Sequence, residues 1–442
     1  MPFKGVHYDS EKVGNIGKVA APPYDIISAE EQELYYQRSE YNIIRLILGK
    51  VYSGDNNTNN RYTRAADLLE DWLSKGVLVQ DVLPSFYIYK QVYTLDEKER
   101  TRRGIIGLVK LEEFQQGVIL PHEKTFTAPK ADRLALLRAC RANLSPVFGL
   151  YSDPSRKLSP IFTEHEDQAA PRYQIIDDQG IHHSIWPVSH QESVRQITAL
   201  LEDKQILIAD GHHRYETALQ FQKEMREGMA EDIGEKPFDY ILMYLADMDE
   251  EGISILPTHR LIRHAPSLKG EDLPSLLKRI GQHFEIREFP FIPEINEEAI
   301  QKKALLRAMK EQGQKNHAFG FYTGGNCFYL LTFKGEALSH TLLQGNLPEV
   351  WRDLNVTILQ LVLLENVLGI SSEDIRNQNL EYTQDHSRAI TKVRSGEYRM
   401  VFLLNPTSIE RIKKVTASGQ RMPEKSSYFY PKLLTGLALH KF

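Results

Sequence analysis

Between residues 205 and 225 the chain reads QILIADGHHRYETALQFQKEM, and the spacing of its apolar residues changes partway through. Ile206, Leu207 and Ile208 form a short run of β-formers, whereas Tyr215, Ala218, Leu219 and Met225 recur at helical spacing. Asp210 and Gly211 sit at the change and supply the turn. A strand that runs directly into an amphipathic helix implies a mixed α/β core, and the flanking sequence repeats the alternation. Helix patterns fall near 191–203 and from 212 to about 230, and strand patterns at 205–209 and 238–247.

Elsewhere the strand signals come in pairs. FYIYKQVY and RRGIIGLVKL flank the polar turn LDEKER, and YQII and IHHSIWPV flank DDQG, so each pair predicts a hairpin. FGFYTGGNCFYLLTF predicts a third, and VTILQLVLLENVLGI an apolar helix. SGDNNTNN, from Ser53 to Asn60, reads as a surface loop. At 442 residues the chain exceeds the usual size of one domain. The Pro- and Gly-containing stretch RHAPSLKGED, Arg263 to Asp272, is the boundary expected from composition, dividing the chain into 1–265 and 266–442. The fold class expected is α+β, with mixed α/β patterning in both parts.

Composition narrows the partners. A formal charge of -5 supplies no general attraction to nucleic acid or to an anionic membrane. The two cysteines, Cys140 and Cys327, lie in apolar surroundings far apart, which argues for inert buried thiols rather than a disulfide or a thiolate metal site. Apolar runs fall short of the ~20 residues of a membrane helix, and MPFKGVHYDS lacks a signal-peptide core, so a cytoplasmic location is expected. Oligomeric state leaves no mark in the sequence.

The segment that shapes the fold also carries the chemistry. His212, His213 and Arg214 fall in the first helical turn, where the free N–H groups and the macrodipole already make the potential positive. A cation there is disfavoured by about 0.3–1 kcal/mol, and a bound anion would reverse the penalty. A phosphate would accept from the backbone N–H groups after Gly211, bidentately from Arg214, and from an imidazole. Asp210 has two readings: an N-cap, or a Mg²⁺ ligand placed between it and a phosphate. In the plainer alternative the turn is only structural and both histidines are neutral.

A second constellation is LPHEKTFTAPKADRL, which places His122, Glu123, Lys124, Lys130, Asp132 and Arg133 ahead of an amphipathic helix expected to begin near Ala131. Phe126 stands where a zinc protease HExxH motif needs its second His-bearing spacing, so a zincin is excluded. Glu123, with His122, is a candidate general base toward a hydroxyl, while Lys124, Lys130 and Arg133 are candidates to hold a substrate anion. A solvated charged loop is the alternative. Tyr24 and Asp25, in the stiff turn APPYDIIS, join the substrate-binding candidates, and ILPTHRL is expected to end a strand at His259-Arg260. In RMPEKSSYFYPKLLTGL, Lys425, Ser426 and Lys432 either cover an anionic ligand or belong to a docked terminal tail.

APPYDIIS, LPHEKTFTAPKADRL, ANLSPVFGLY, IADGHHRYETAL, LPTHRL, VRSGEYRMVFLLNPT and MPEKSSYFYPKLLTGL, in this order, resemble the bacterial and archaeal domain-of-unknown-function family 1015 over nearly the whole chain. One departure is Gln360, where the resemblance leads to an expected His after Asn355-Val356-Thr357. DGHHRYETAL is also similar to the phosphate-contacting motif of the ParB/sulfiredoxin superfamily, which includes nucleotide-dependent switch proteins and kinases of free serine. The resemblance implies a ParB/sulfiredoxin-like core, a nucleotide (ATP or ADP) as phosphate donor and a small hydroxylated metabolite as acceptor, with a Glu as base; Mg²⁺ at Asp210 is the cofactor expected with them. A ParB-like nucleotide switch and a phosphohydrolase using the same anion site remain the alternatives, and the acidic charge balance with no evident reading helix weighs against DNA binding.

Overall fold

The strands on either side of LDEKER pair antiparallel from Tyr87↔Ile106 to Leu95↔Lys98, leaving Asp96 and Glu97 as a two-residue turn. Both turn residues have positive φ, 53° and 61°, the geometry whose twist suits a tight hairpin. The structure is a computed structural model that describes residues 1–442 apart from 126, 228, 230–233, 265–270, 294, 336–348 and 371–378, with the backbone alone at 127, 128, 295 and 296. The chain forms two units: Met1–Pro121, Thr125–Ser254 and Phe429–Phe442 make the first, and His122–Lys124 with Ile255–Tyr428 the second.

This division differs from the one expected at 265–266. The strand His259–Ile262 pairs on one side with Leu380–Thr383 and on the other with Met400–Leu404, so the chain is already inside the second unit's sheet before it reaches Pro266. Most of the stretch that composition marks as the boundary, 265–270, lies outside the described residues. His259 and Arg260 correspondingly begin a strand rather than end one.

In the first unit an eight-stranded sheet runs in the order Ile119–Pro121, Ile206–Asp210, Val147–Tyr151, Tyr240–Asp247, Lys98–Lys110, Phe86–Leu95, His182–Val188, Tyr173–Ile176. Neighbours are antiparallel except at Ile206–Asp210 with Ile119–Pro121 and at Tyr240–Asp247 with Val147–Tyr151. Ile206, Ile208, Val147, Ile241 and Met243 share a core with Tyr215, Ala218 and Phe221 of the helix His212–Arg226. The periodicity that predicted the helix is therefore the stripe that buries it. Tyr215 is fully buried, and its hydroxyl both donates to the Glu112 carbonyl at 2.8 Å and accepts from the Glu112 N–H at 2.9 Å. The last residues return to this unit: Leu433, Leu434, Leu437 and Leu439 are buried, and His440–Lys441 pairs with Ala142–Asn143. The C-terminal segment is thus a docked tail.

The second unit is built on a six-stranded antiparallel sheet in the order Phe284–Pro290, Cys327–Phe333, Ala318–Tyr322, Met400–Leu404, His259–Ile262, Leu380–Thr383. Its core joins Phe319's neighbours Ala318 and Tyr322 with Leu330, Val401 and Leu403 on the sheet, Leu305 and Met309 on the helix Ile295–Gly313, and Ile390 and Val393 on the helix His386–Arg394. The apolar run after Asn355 is helical but changes pitch, with a short α-helix at Asn355–Ile358 followed by a π-helix at Leu359–Val367. Gln360 lies in that π-helix and donates to Glu365 at 2.8 Å. Burial pushes the Cys140 thiol up to about 12 and also raises Cys327, so neither is a reactive thiolate. Among the described residues no helix is long and apolar enough to cross a membrane.

Candidate functional site

The strand Ile206–Asp210 carries a register shift against Val147–Tyr151 between Ile208 and Asp210, which turns the end of the strand out of the ladder. Gly211 follows at φ 92° and is the N-cap of the helix His212–Arg226, with no side chain capping it. An added Cβ at Gly211 would lie 2.9 Å from Nη2 of Arg214 and 3.0 Å from its Cζ. Glycine is needed both for the left-handed backbone and for this close approach. Gly211→Ala is expected to cost about 1–2 kcal/mol from the backbone alone and to push the guanidinium aside, as measured by urea unfolding; a variant as stable as the parent would contradict this account.

Asp210 is not the cap. One carboxylate oxygen accepts from Lys432 Nζ at 2.5 Å and the other from Arg214 Nη2 at 2.7 Å. Arg214 also donates from Nη1 to the Pro146 carbonyl. Burial pushes the Asp210 carboxyl upward, but the Lys432 ammonium and the Arg214 guanidinium outweigh it and hold it well below the usual carboxylate range. His212, buried at 8 % exposure, adds to the same lowering. The cations in the first helical turn are thus balanced in part from within, by Asp210 itself. The expected open, bidentate fork of Arg214 is instead partly engaged, although a guanidinium has five N–H donors and these contacts use two.

Arg133 faces the same place. It lines, with Arg214, Ser145 and Thr217, a cavity of about 50 Å³, and Thr217 Oγ1 is buried there with no hydrogen-bond partner. The Arg133 guanidinium stacks 3.8 Å from the Tyr24 ring centre, bonds Asp132 through Nε at 2.7 Å, and donates to the Ile47 carbonyl at 2.9 Å. Burial pushes the Tyr24 hydroxyl up to about 12, with Asp25 adding to the rise and Arg133 and Arg214 opposing it. Tyr24, Arg133 and Arg214 are therefore brought together, while Asp25 is exposed beside them. Asp132 accepts from Tyr62 at 2.7 Å and from Arg61 at 2.5 Å. Sequence reasoning missed Arg61 and Tyr62, which begin a helix capped by Asn60 directly after the polar loop and carry no local signal of their role.

The helix that was expected near Ala131 spans Thr127–Cys140, so Lys130 and Arg133 are on it rather than before it. Lys130 pairs with Glu216 at 3.1 Å, and Thr125 donates to the same carboxylate at 2.7 Å. His213 is half-buried on the helix His212–Arg226. His122, Glu123 and Lys124 belong to the second unit. There Glu123 Oε1 accepts from the Ser426 N–H at 3.1 Å, from the Ser427 N–H at 2.9 Å and from the Ser427 hydroxyl at 2.9 Å. His122, with no exposed surface, contacts the same hydroxyl through Nε2 at 2.7 Å, and Lys124 Nζ lies 4.8 Å from the centre of the Trp351 ring. Ser427 was not among the sequence candidates.

A resident Mg²⁺ at Asp210 does not fit this donor set, because both carboxylate oxygens are already taken by cations. Among the described residues no group of three or more His, Cys, Asp or Glu side chains is arranged to hold a metal ion.

The profile of the family described as "Protein of unknown function (DUF1015)" matches residues 1–357. Similar solved structures include a free serine kinase variant in complex with AMP, at 12% identity and a TM-score of 0.36 over 73% of this chain and 87% of that one. A conserved hypothetical protein from Pyrococcus furiosus matches at 12% identity and a TM-score of 0.35 over 73% and 90%. SbnI with a C-terminal truncation, from Staphylococcus aureus, matches at 10% identity and a TM-score of 0.33 over 75% and 85%. No curated protein matches the chain.

Proposed function

Since the chain belongs to the DUF1015 family of proteins of unknown function, we propose from its own site that it is a nucleotide-dependent phosphotransferase acting on a small hydroxylated metabolite of the free-serine type. The observation that carries the reading is the cluster of cations in one place: Arg61, Arg133, Arg214 and Lys432 are gathered with Asp25, Asp132 and Asp210, at a glycine-led helix start with no side-chain cap. That arrangement favours an anion with several negative oxygens. Arg214, His212, His213 and the backbone after Gly211 take the phosphates of ATP or ADP, while Lys130, Arg133, Tyr24 and Asp25 orient the acceptor. Lys124 is kept as a candidate for the acceptor's anionic group.

In the transfer step the acceptor hydroxyl oxygen forms a bond to the terminal phosphorus as the bridging P–O bond breaks, and the shortened nucleotide leaves with the electron pair. The hydroxyl proton passes to Glu123, assigned as base with His122 beside it from the motif resemblance. Catalysis of this kind rests on positioning and charge stabilisation.

Thermal unfolding of the full chain with ATP, ADP, AMP or duplex DNA tests the proposal. A ligand at 100 times its Kd adds about 2.7 kcal/mol of stability, so a nucleotide is expected to raise Tm and DNA to leave it unchanged. No shift with any of the three nucleotides at millimolar concentration would refute the reading, and a shift with DNA at physiological salt would replace it with the nucleotide-switch alternative.

A further inference from the structure

The second unit contains a cleft of about 690 Å³ that the nucleotide reading does not use. Its floor is the end of the sheet, where His317 precedes the strand Ala318–Tyr322 and Phe333 closes the strand Cys327–Phe333. One wall is the helix Ile409–Ala417, whose Arg411 and Lys414 are three residues apart and so share a face. Lys315 follows the helix Ile295–Gly313, and Arg352 ends the short helix Glu349–Arg352.

The charges here are unbalanced. Lys315, Arg352, Arg411 and Lys414 face the cleft, and only Glu349 and Asp353 answer them on its lining. None of these four cations is within salt-bridge distance of a carboxylate among the described residues, although the chain elsewhere pairs its arginines and lysines extensively. Arg352 Nε is buried with no hydrogen-bond partner. A buried donor left unmade costs the full desolvation of the group, so a ligand that accepts from it is favoured. His317 is held by the Asn355 side chain at 2.8 Å and supplies a polar floor. Burial lowers its imidazole below the usual range, Arg411 adds to the lowering, and Asn355 and Asp353 oppose it.

We propose that this cleft binds a small polyanion, a molecule with two or more phosphate or carboxylate groups, as a site separate from the one at Arg214. Its volume suits a metabolite rather than a lone ion. Arg411 and Lys414 would engage one anionic group, and Arg352 with Lys315 another. The proposal does not depend on the phosphotransferase reading.

Calorimetric titration of the full chain with pyrophosphate and, separately, with citrate tests it. At least one of the two is expected to bind, and Arg411→Ala/Lys414→Ala should weaken that binding at least tenfold. The two titrants distinguish a phosphate preference from a carboxylate one, and either supports the site. Binding of neither, or binding that survives the Arg411→Ala/Lys414→Ala change, overturns it. Both substitutions are at half-buried or exposed helix positions, and circular dichroism on the double variant confirms that the fold is intact.

Discussion

Arg214→Ala is expected to lower the unfolding free energy by about 3–5 kcal/mol, because it removes one of the two cations that compensate a largely buried carboxylate. Asp210 would keep Lys432, but the Pro146 carbonyl and one carboxylate oxygen would lose their donor. Arg214→Lys is the sharper functional probe. An ammonium keeps the charge and can reach one acceptor, but it cannot bridge Pro146 and Asp210 while presenting further donors to a phosphate. The Lys variant should therefore fold, lose about 1–2 kcal/mol for one hydrogen bond, and bind nucleotide at least tenfold more weakly. Nucleotide affinity unchanged in a folded Arg214→Lys protein would remove Arg214 from the phosphate site.

The same cluster sets a pH dependence. The folded Asp210 carboxyl titrates below its unfolded value. Its stabilising contribution is therefore complete above the ordinary carboxylate range, about pH 4, and drains away as pH falls further. Lys432→Met should raise the folded-state value toward the unfolded one, so that the variant loses stability relative to the parent at neutral pH and the gap closes in acid. Urea midpoints measured from pH 3 to pH 8 decide it, and a gap that widens in acid would contradict the assignment.

The features legible in the sequence were those carried by local periodicity. Ile206 to Ile208 and the Tyr215, Ala218 stripe predict a strand and a helix that the fold contains, and the runs of β-formers on either side of LDEKER predict a hairpin that it also contains. What was not legible depends on residues distant in the chain. In the sequence Lys432 reads as a cation in a tail, but its partner lies at Asp210, and no pattern within either segment points to the other. The division of the chain into units depends on distant pairing in the same way. Composition marks a break in patterning but not where a sheet begins, and it is the pairing of His259–Ile262 that puts this strand with the second unit. Asp210 followed by glycine reads as a cap, yet the close approach of Arg214 over Gly211 turns the carboxylate toward cations instead.

Glu123→Gln is expected to separate catalysis from architecture. In the second unit Glu123 Oε1 accepts three hydrogen bonds from Ser426 and Ser427, and an amide oxygen can accept the same three. The Gln variant should therefore keep its fold and its nucleotide affinity. An amide cannot take a proton at neutral pH, so a base at this position would show as a loss of about 10²- to 10⁴-fold in kcat for phosphoryl transfer. Glu123→Ala behaves differently: it leaves two backbone N–H groups and a hydroxyl without their acceptor and should destabilise the chain by about 1–3 kcal/mol. A purely structural Glu123 predicts full turnover in the Gln variant and loss only in the Ala variant. A catalytic one predicts that the Gln variant is stable and inactive, with the acidic limb of the parent's pH–rate profile missing from whatever activity remains. Full turnover by Glu123→Gln would take the base assignment away from this residue, and Asp25, exposed beside Tyr24 and the arginines, would be the next carboxylate to test.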